Sequence, residues 1–381
     1  MVPGDGTAME IYRTAIPMRR FEHAAAIRQC AEAIVVRVRR SGGPAGWGET
    51  LPRDYVTGET LDTVVGDLQD VFWPAVRQGR MIGEIPTAAA GGRCINAAEC
   101  AIDLAWFDAW WEAGEGGATE SLEGCGRPVG GITTRVSGVL GSTDPARTAR
   151  ALRLMRWYGL DDFKLKLGLG AAVDRENLRV VSEKIARSVR RGRCTLRVDV
   201  NGGWPPDEVP QRVADLKRYG VCVVEQPVYC GAGELAELAR RCELPLMADE
   251  SLLSDTDARA LLGVGAKVWW NIRLSKNGGL RRSARLCRMA AANGIPFVVG
   301  CMVGESSILS AAQRRLLQCV PLPRFVEGNY GRFLLSDDLT RRSLRFGYGG
   351  RLKVLKGTGL GIEVDASRLA RCSNSVATLE E

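Results

Sequence analysis

From about residue 130 onward the chain repeats one pattern eight times: a short β-rich run that ends in polar residues, then an amphipathic stretch. The runs are Arg135–Leu140, Asp162–Gly168, Thr195–Asn201, Val221–Pro227, Leu244–Glu250, Lys267–Ser275, Pro296–Met302 and Phe325–Asn329. Eight such units, spaced by roughly 20 to 35 residues, are what a (β/α)₈ barrel requires. Continuous apolar runs such as Val221-Cys-Val-Val224 suit parallel strands buried on both faces. An open, doubly wound sheet would alternate in the same way, but it usually carries Gly-x-Gly-x-x-Gly after its first strand, and no such turn stands there. Gly357-Thr-Gly-Leu-Gly361 has no helix signal after it and reads as a turn.

At 381 residues the chain is too long for one small core. Upstream of the repeat, Met9–Ile16 and Ala33–Arg40 read as strands, joined by a connection that holds the only histidine, His23. Helical patterns follow around Leu61–Gln78 and Asn96–Glu115. After the eighth run, Leu352–Val354 and Ile362–Val364 look strand-like. The expected architecture is α/β: a (β/α)₈-type barrel (modified TIM barrel) over residues 129–334. An α+β N-terminal capping domain over 1–128 is completed by a C-terminal segment, 335–381.

Composition excludes more than it proposes. Lys and Arg outnumber Asp and Glu by 52 to 44, a net +8, yet the arginines are dispersed and no basic run stands beside aromatics. Nucleic acid is therefore not an expected partner, and the charge suggests only a preference for anionic substrates. The twelve cysteines include no Cys-x-x-Cys pair and read as reduced core residues. No apolar run approaches the roughly 20 residues of a membrane span. The first residues lack a signal-peptide pattern, so a cytoplasmic location and no membrane partner are expected.

In a barrel of this kind chemistry gathers at the C-terminal strand ends. Here those ends read Lys164-Leu-Lys166, Asp199-Val-Asn201, Glu225-Gln-Pro227, Asp249-Glu-Ser251 and Asn271-Ile-Arg-Leu-Ser-Lys276. Base, acid, acid, acid, base is a pattern with chemical sense. Asp199, Glu225 and Asp249 lie 26 and 24 residues apart, one strand–helix unit each, so adjacent strands aim three carboxylates at one spot. Three such anions need a cation, and all-oxygen ligation favours Mg²⁺, with Mn²⁺ an alternative. Helix capping would explain single acids but not the lysines on both flanks. Strand alternation sends Lys164 and Lys166 to one face. Two ammonium groups side by side, next to a divalent cation, should lower each other's pKa and leave a usable base. Lys276 would approach from the opposite side. A proton α to a carboxylate is weakly acidic because the ene-diolate carries two negative charges; a cation offsets that charge and a lysine takes the proton.

These same segments resemble the muconate-lactonizing-enzyme branch of the enolase superfamily. Lys-Leu-Lys, Asp-Val-Asn, Glu-Gln-Pro, Ala-Asp-Glu-Ser and Ser-Lys-Asn-Gly-Gly occur in that order. The likeness extends to Gly46–Thr60 in the cap, Gly300–Ser306 at the seventh strand and Gly357–Glu363 in the tail. The resemblance implies Asp199, Glu225 and Asp249 as Mg²⁺ ligands, Lys166 and Lys276 as acid/base pair, and Lys164 tuning Lys166. It implies Asn201, Gln226, Glu250 and Glu305 as residues that orient the ligands. Loops carrying Arg19, His23, Arg53 and Tyr55 would close over the substrate, with Cys301, Glu327 and Asn329 near it. It also implies a homo-oligomer acting on a small-molecule carboxylate. The expected reaction is racemisation or epimerisation of an amino-acid derivative; the alternatives are a cycloisomerase, an o-succinylbenzoate-synthase-like dehydratase or, in another class, a Schiff-base lyase or aldolase. Branches that resemble this chain but rely on a histidine late in the barrel are disfavoured, since His23 lies far upstream. Dipeptide epimerases resemble one another in an Asp-x-Asp at the eighth strand; here the stretch is Val326-Glu-Gly-Asn-Tyr-Gly331, which argues against a dipeptide.

Overall fold

The computed structural model describes residues 7–23, 26–39, 42–78, 80, 82, 85, 92–110, 131–263, 265 and 268–380, with the side chains of residues 21–23, 26 and 27 excepted. Its strands are β1 Ala8–His23, β2 Ala26–Arg39, β3 Gly46–Thr50, β4 Gly138–Leu140, β5 Asp162–Lys166, β6 Thr195–Asp199, β7 Val221–Glu225, β8 Leu246–Ala248, β9 Trp269–Ile272, β10 Phe297–Val299, β11 Phe325–Val326 and β12 Ser373–Glu380. Its α-helices are α1 Asp54–Thr57, α2 Leu61–Asp67, α3 Trp73–Arg77, α4 Asn96–Trp110, α5 Pro145–Trp157, α6 Ala171–Arg190, α7 Val209–Leu216, α8 Ala232–Ala239, α9 Asp255–Gly263, α10 Gly279–Ala292, α11 Ser307–Cys319 and α12 Ala366–Cys372.

Strands β4 to β11 form one parallel sheet in sequence order. Its edges meet through a parallel bridge between Val136 and Val326, reinforced by Ser137 N donating to Val326 O at 2.8 Å. All eight expected barrel strands lie inside their expected runs, but each is shorter. The ladder stops where the chain turns outward: Asn201 and Gln226 take φ of 48° and 36°, a left-handed conformation that no strand can continue. Between strands and helices the interior is apolar. Phe163, Leu165, Leu196, Val198, Val224 and Ile272 are fully buried, each side chain contributing about 1.5–3 kcal/mol by leaving water.

The second sheet is antiparallel, in the order β12-β1-β2-β3. Two expectations need correction here. Leu352–Val354 is not strand, and Val364 makes only an isolated bridge to Thr340. The tail strand is instead β12, whose Ser-Asn-Ser-Val-Ala-Thr-Leu-Glu is an exposed edge and so carries little apolar signal. Nor did Gly46-Trp-Gly-Glu-Thr50 look like a strand, because glycine is a poor strand former. The glycines are there for α4: a Cβ on Gly46 or Gly48 would lie 2.0 or 1.9 Å from the carbonyl oxygens of Ala105 and Ala101. The helical pattern at Leu61–Gln78 is α2 and α3 joined by a π-helical turn, Leu68–Phe72. Residues 111–130, which include the last part of the expected Asn96–Glu115 helix and the expected 128/129 boundary, lie outside the described residues.

Polar contacts tie α4 and β3 to the barrel. Asp103 accepts from Arg281 Nε at 2.5 Å, Glu99 pairs with Arg282 at 2.7 Å, and Asn96 Nδ2 donates to Lys276 O at 2.7 Å. Glu49 is buried and accepts from Ser306 N (3.0 Å), Ser306 Oγ (2.6 Å) and Leu309 N (3.1 Å), so a residue of β3 caps barrel helix α11. Among the described residues no helix is long and apolar enough to cross a membrane, and none of the described cysteines forms a disulfide.

Candidate active site

Parallel pairing places Lys166 beside Asp199 and Asp199 beside Glu225, so three charged residues share one level at the strand ends. Asp249 follows two residues after the Met247 that pairs with Glu225. All three acids are fully buried. Lys166 Nζ donates to Asp199 Oδ2 at 2.6 Å and to Asn201 Oδ1 at 2.9 Å. Lys164 Nζ lies 3.2 Å from both Glu225 oxygens, 2.7 Å from Glu327 Oε2 and 3.3 Å from Asp199 Oδ2.

The electrostatics follow from these pairings. Burial would raise Asp199, but the Lys166 and Lys164 ammonium groups outweigh it and hold the carboxyl well below the usual range. Burial, then Asp199, pushes Glu225 up to about 8. Burial and Asp249 raise Glu250 to about 7. Burial would lower Lys164, yet Glu225, Glu327 and Asp199 more than compensate, and its pKa stands above the ordinary lysine value. The expectation that Lys164 would be depressed by its neighbour therefore fails in this arrangement: three carboxylates clasp it.

Lys276 is buried, does not line the cavity, and stands with its Nζ 3.4 Å from Asp249 Oδ1. Its Nζ donates to the backbone oxygens of Asp249 (2.6 Å), Leu252 (2.8 Å) and Asn271 (3.0 Å), so all three ammonium protons are engaged. Burial lowers its pKa. A further cation at these acids is Arg273, which the sequence did not single out. Its Nη2 bonds Asp249 Oδ2 and lies 3.2 Å from Glu225 Oε1, a position between two of the three acids. A second omission is Arg197, buried two residues before Asp199 and paired with Glu327 Oε1 at 2.6 Å. Both carried a signal: a charged residue at an inward position of a strand that is otherwise apolar.

The remaining expected residues divide by what they touch. Gln226 Oε1 accepts from Asp249 N (2.8 Å) and Ser251 N (3.1 Å), which fixes the turn that presents Asp249. Asn201 Nδ2 reaches Glu250 Oε1 at 3.4 Å. Glu305 lines the cavity, accepts from Met302 N at 2.6 Å, and is raised by burial to about 8. Arg19 and Cys301 also line it. Arg53 is buried and donates to the oxygens of Glu32 (3.2 Å), Pro52 (2.7 Å) and Val303 (3.3 Å), a brace for the loop after β10. Tyr55 sits under the Arg28 guanidinium, 5.9 Å from ring centre to Cζ; the His23 side chain lies outside the description. Glu327 and Asn329 line the cavity but are spent. Glu327 is held by Lys164 and Arg197, which bring it down to about 2 against the effect of burial. Asn329 bonds Arg314 Nε (2.6 Å) and Gln313 Oε1 (2.5 Å).

The donor set suits a hard divalent cation. Asp199, Glu225 and Asp249 offer only carboxylate oxygens; Glu250 Oε2 is buried without a hydrogen bond, and so is Asp249 Oδ1, which has only the Lys276 ammonium at 3.4 Å. Among the described residues no three acids stand close enough together to grip an ion as they are. Lys164 and Arg273 occupy the space between them, so admitting a metal requires Arg273 to withdraw.

A capped barrel with bases and acids alternating around a buried cavity defines an enzyme that moves protons beside a carboxylate. The chain belongs to the enolase C-terminal domain-like family, whose model matches residues 146–368. It is thus an enolase-superfamily enzyme, and members of that superfamily use Mg²⁺. It is similar to the N-succinyl-L-Arg/Lys racemase of Bacillus cereus, 28% identical over 314 residues that cover 80% of this chain and 82% of the relative. The crystal structure of that racemase superposes with a TM-score of 0.83, covering 98% and 99% of the two chains at 25% identity. The L-Ala-D/L-Glu epimerase of Bacillus subtilis is 26% identical over 323 residues, 80% of this chain and 82% of the relative. The 2-chloromuconate cycloisomerase of Rhodococcus opacus superposes at TM-score 0.80 with 26% identity, over 97% and 100% of the chains.

Proposed function

We propose that this enzyme is a Mg²⁺-dependent isomerase that inverts the α-carbon of an amino-acid derivative whose amine is acylated. The observation that carries the reading is the state of the eighth strand end. Glu327 is consumed by Lys164 and Arg197, and Asn329 by Gln313 and Arg314, so neither can hold a substrate ammonium group. An acylated amine needs no such counter-charge. Similarity to an N-succinylamino-acid racemase supports the same choice.

On this reading Asp199, Glu225 and Asp249 hold the metal, and residues 1–128 with 335–381 cap the barrel of 129–334. The bound cation would supply the positive charge that offsets the second negative charge developing on the substrate carboxylate. Lys166, at the cavity wall between Asp199 and Asn201, takes or delivers the α proton on one face, and inversion needs delivery or removal on the other. Lys164 stays protonated and steadies the acids. Lys276 reaches the opposite face only after its ammonium leaves the three carbonyls that cage it. Closure of the site excludes water, which strengthens each of these interactions.

The test is α-proton exchange in D₂O with single enantiomers of N-acylamino acids, followed by NMR and chiral chromatography. Deuterium uptake with inversion is the expected result. A reductively trapped adduct with borohydride would replace the reading by Schiff-base chemistry. The caged Lys276 favours one second reading, in which Lys166 alone moves the proton, as in a cycloisomerase or dehydratase. Exchange without inversion would establish it.

A further inference from the structure

We propose that the acyl arm of the substrate is apolar and extended, and that it crosses the seam between β4 and β11 into a chamber against α5. This rests on the acylated-substrate reading above and names its chemistry. Strands β4 to β10 are each followed by a helix, but β11 is followed by an irregular segment with two single 3₁₀ turns, Gly331–Phe333 and Tyr348–Gly350. The seam is held by few backbone contacts. Above the Val136–Val326 bridge a side chain replaces the ladder: the Tyr330 hydroxyl accepts from Val139 N and donates to Ser137 O, both at 3.1 Å.

The cavity that touches Lys164, Lys166 and Arg273 does not end at that seam. It continues to Met155, Tyr158, Leu160, Phe333 and Phe346, with a volume of about 440 Å³, well within the range of ligand sites. Its charged lining residues come from the barrel strand ends, the loop after β10 and Arg19; none comes from α5 or from the segment after Gly331. The chamber walls are aromatic and rigid: Tyr158 packs edge-on against Phe333 and Phe346, at ring-centre distances of 5.6 and 5.9 Å. The Tyr158 hydroxyl is already directed to Phe346 O at 3.5 Å. Arg345 lies with its Cζ 5.1 Å from the Phe333 ring centre but does not line the cavity, so a succinyl carboxylate or a guanidinium placed against Met155, Leu160 and Phe346 would lose water and meet no charged lining residue, which such a pocket penalises. An alkyl or aryl acyl group would lose nothing. The outer rim is apolar too, with Leu154 and Trp157 58% and 78% exposed on α5, an exposure that packing does not explain.

The test compares D₂O exchange by the Mg²⁺-loaded enzyme on N-octanoyl-, N-acetyl- and N-succinyl-L-alanine, with calorimetric binding of N-octanoyl-L-alanine measured alongside. The octanoyl compound should be favoured over the acetyl compound at least tenfold in kcat/KM, mostly through KM. Leu154→Glu, at an exposed position that tolerates charge, and Met155→Glu should each lower that ratio at least fivefold. Exchange on all three compounds with a ratio near one overturns the chamber and leaves the acylamino-acid reading intact. Tight octanoyl binding that Leu154→Glu weakens, without exchange on any compound, upholds the chamber and removes the reaction. Absence of octanoyl binding overturns the proposal.

Discussion

Replacing Arg273 by methionine separates two effects of one guanidinium. In the metal-free protein it compensates Glu225 and Asp249, both fully buried, from a position only 7% exposed. Removing one partner of a buried ion pair costs about 3–5 kcal/mol when the other charge is left alone; Lys164, 3.2 Å from Glu225, and Lys276, 3.4 Å from Asp249, remain here, so the lower end is expected. Per-residue entropies of unfolding give a chain this long about 0.8 kcal/mol/K, so Tm in EDTA should fall by about 4 °C. Adding Mg²⁺ reverses the ranking of effects. In the wild type the cation must displace Arg273 from Asp249; in the variant it need not, and its affinity should tighten about tenfold, or about 1.4 kcal/mol. Saturating Mg²⁺ should therefore raise Tm more in the variant than in the wild type. Differential scanning calorimetry in EDTA and across a Mg²⁺ titration, with isothermal titration for the affinity, measures both quantities. A variant as stable as wild type without metal, or one that binds Mg²⁺ no more tightly, would refute the idea that Arg273 stands in for the cation.

Lys166→Ala should slow exchange by about 10²–10⁴-fold while Mg²⁺ still raises Tm; unchanged exchange would assign the base elsewhere. Glu49 is raised by burial from 4.5 to about 7, so the folded state holds its proton more tightly than the unfolded chain. That contribution is full below pH 4.5 and is lost as pH rises through about 7, an effect of about 3 kcal/mol. Glu49→Gln keeps the neutral form at every pH, so urea unfolding in EDTA should show a flatter fall in stability between pH 5 and 7.5; an identical slope would contradict this. Gly48→Ala puts a Cβ 1.9 Å from Ala101 O and should cost about 1–3 kcal/mol, read as a lower Tm; an unaffected Tm would mean that β3 and α4 part easily.

The barrel was legible because its eight strands are short, apolar and punctuated by charge at their ends. Period and polarity are local properties, and they survive in a single sequence. The same holds for Asp199, Glu225 and Asp249, whose spacing follows the repeat. The edge strand β12 and the glycine-bearing β3 escaped because one is solvated and the other is shaped by α4. For an edge strand the backbone partner, β1, decides the pairing, and nothing in Ser373–Glu380 names it.

What the residues determined alone is the list of charges and the strand that carries each. What only the tertiary structure decided is which charges meet. Lys164 and Lys166 alternate toward one face as strand geometry demands, yet one is enclosed by three carboxylates and the other reaches Asp199 and Asn201 at the cavity. Lys276 has the right place in the chain and stands 3.4 Å from Asp249 Oδ1, but its protons go to three backbone carbonyls. Arg273, three residues earlier, takes the other oxygen of the same carboxylate. Partner choice depends on distances across the barrel, set by strands 46 to 163 residues apart, as between Asn271 and Glu225 or Glu327 and Lys164. Periodicity carries no information at that range; packing does.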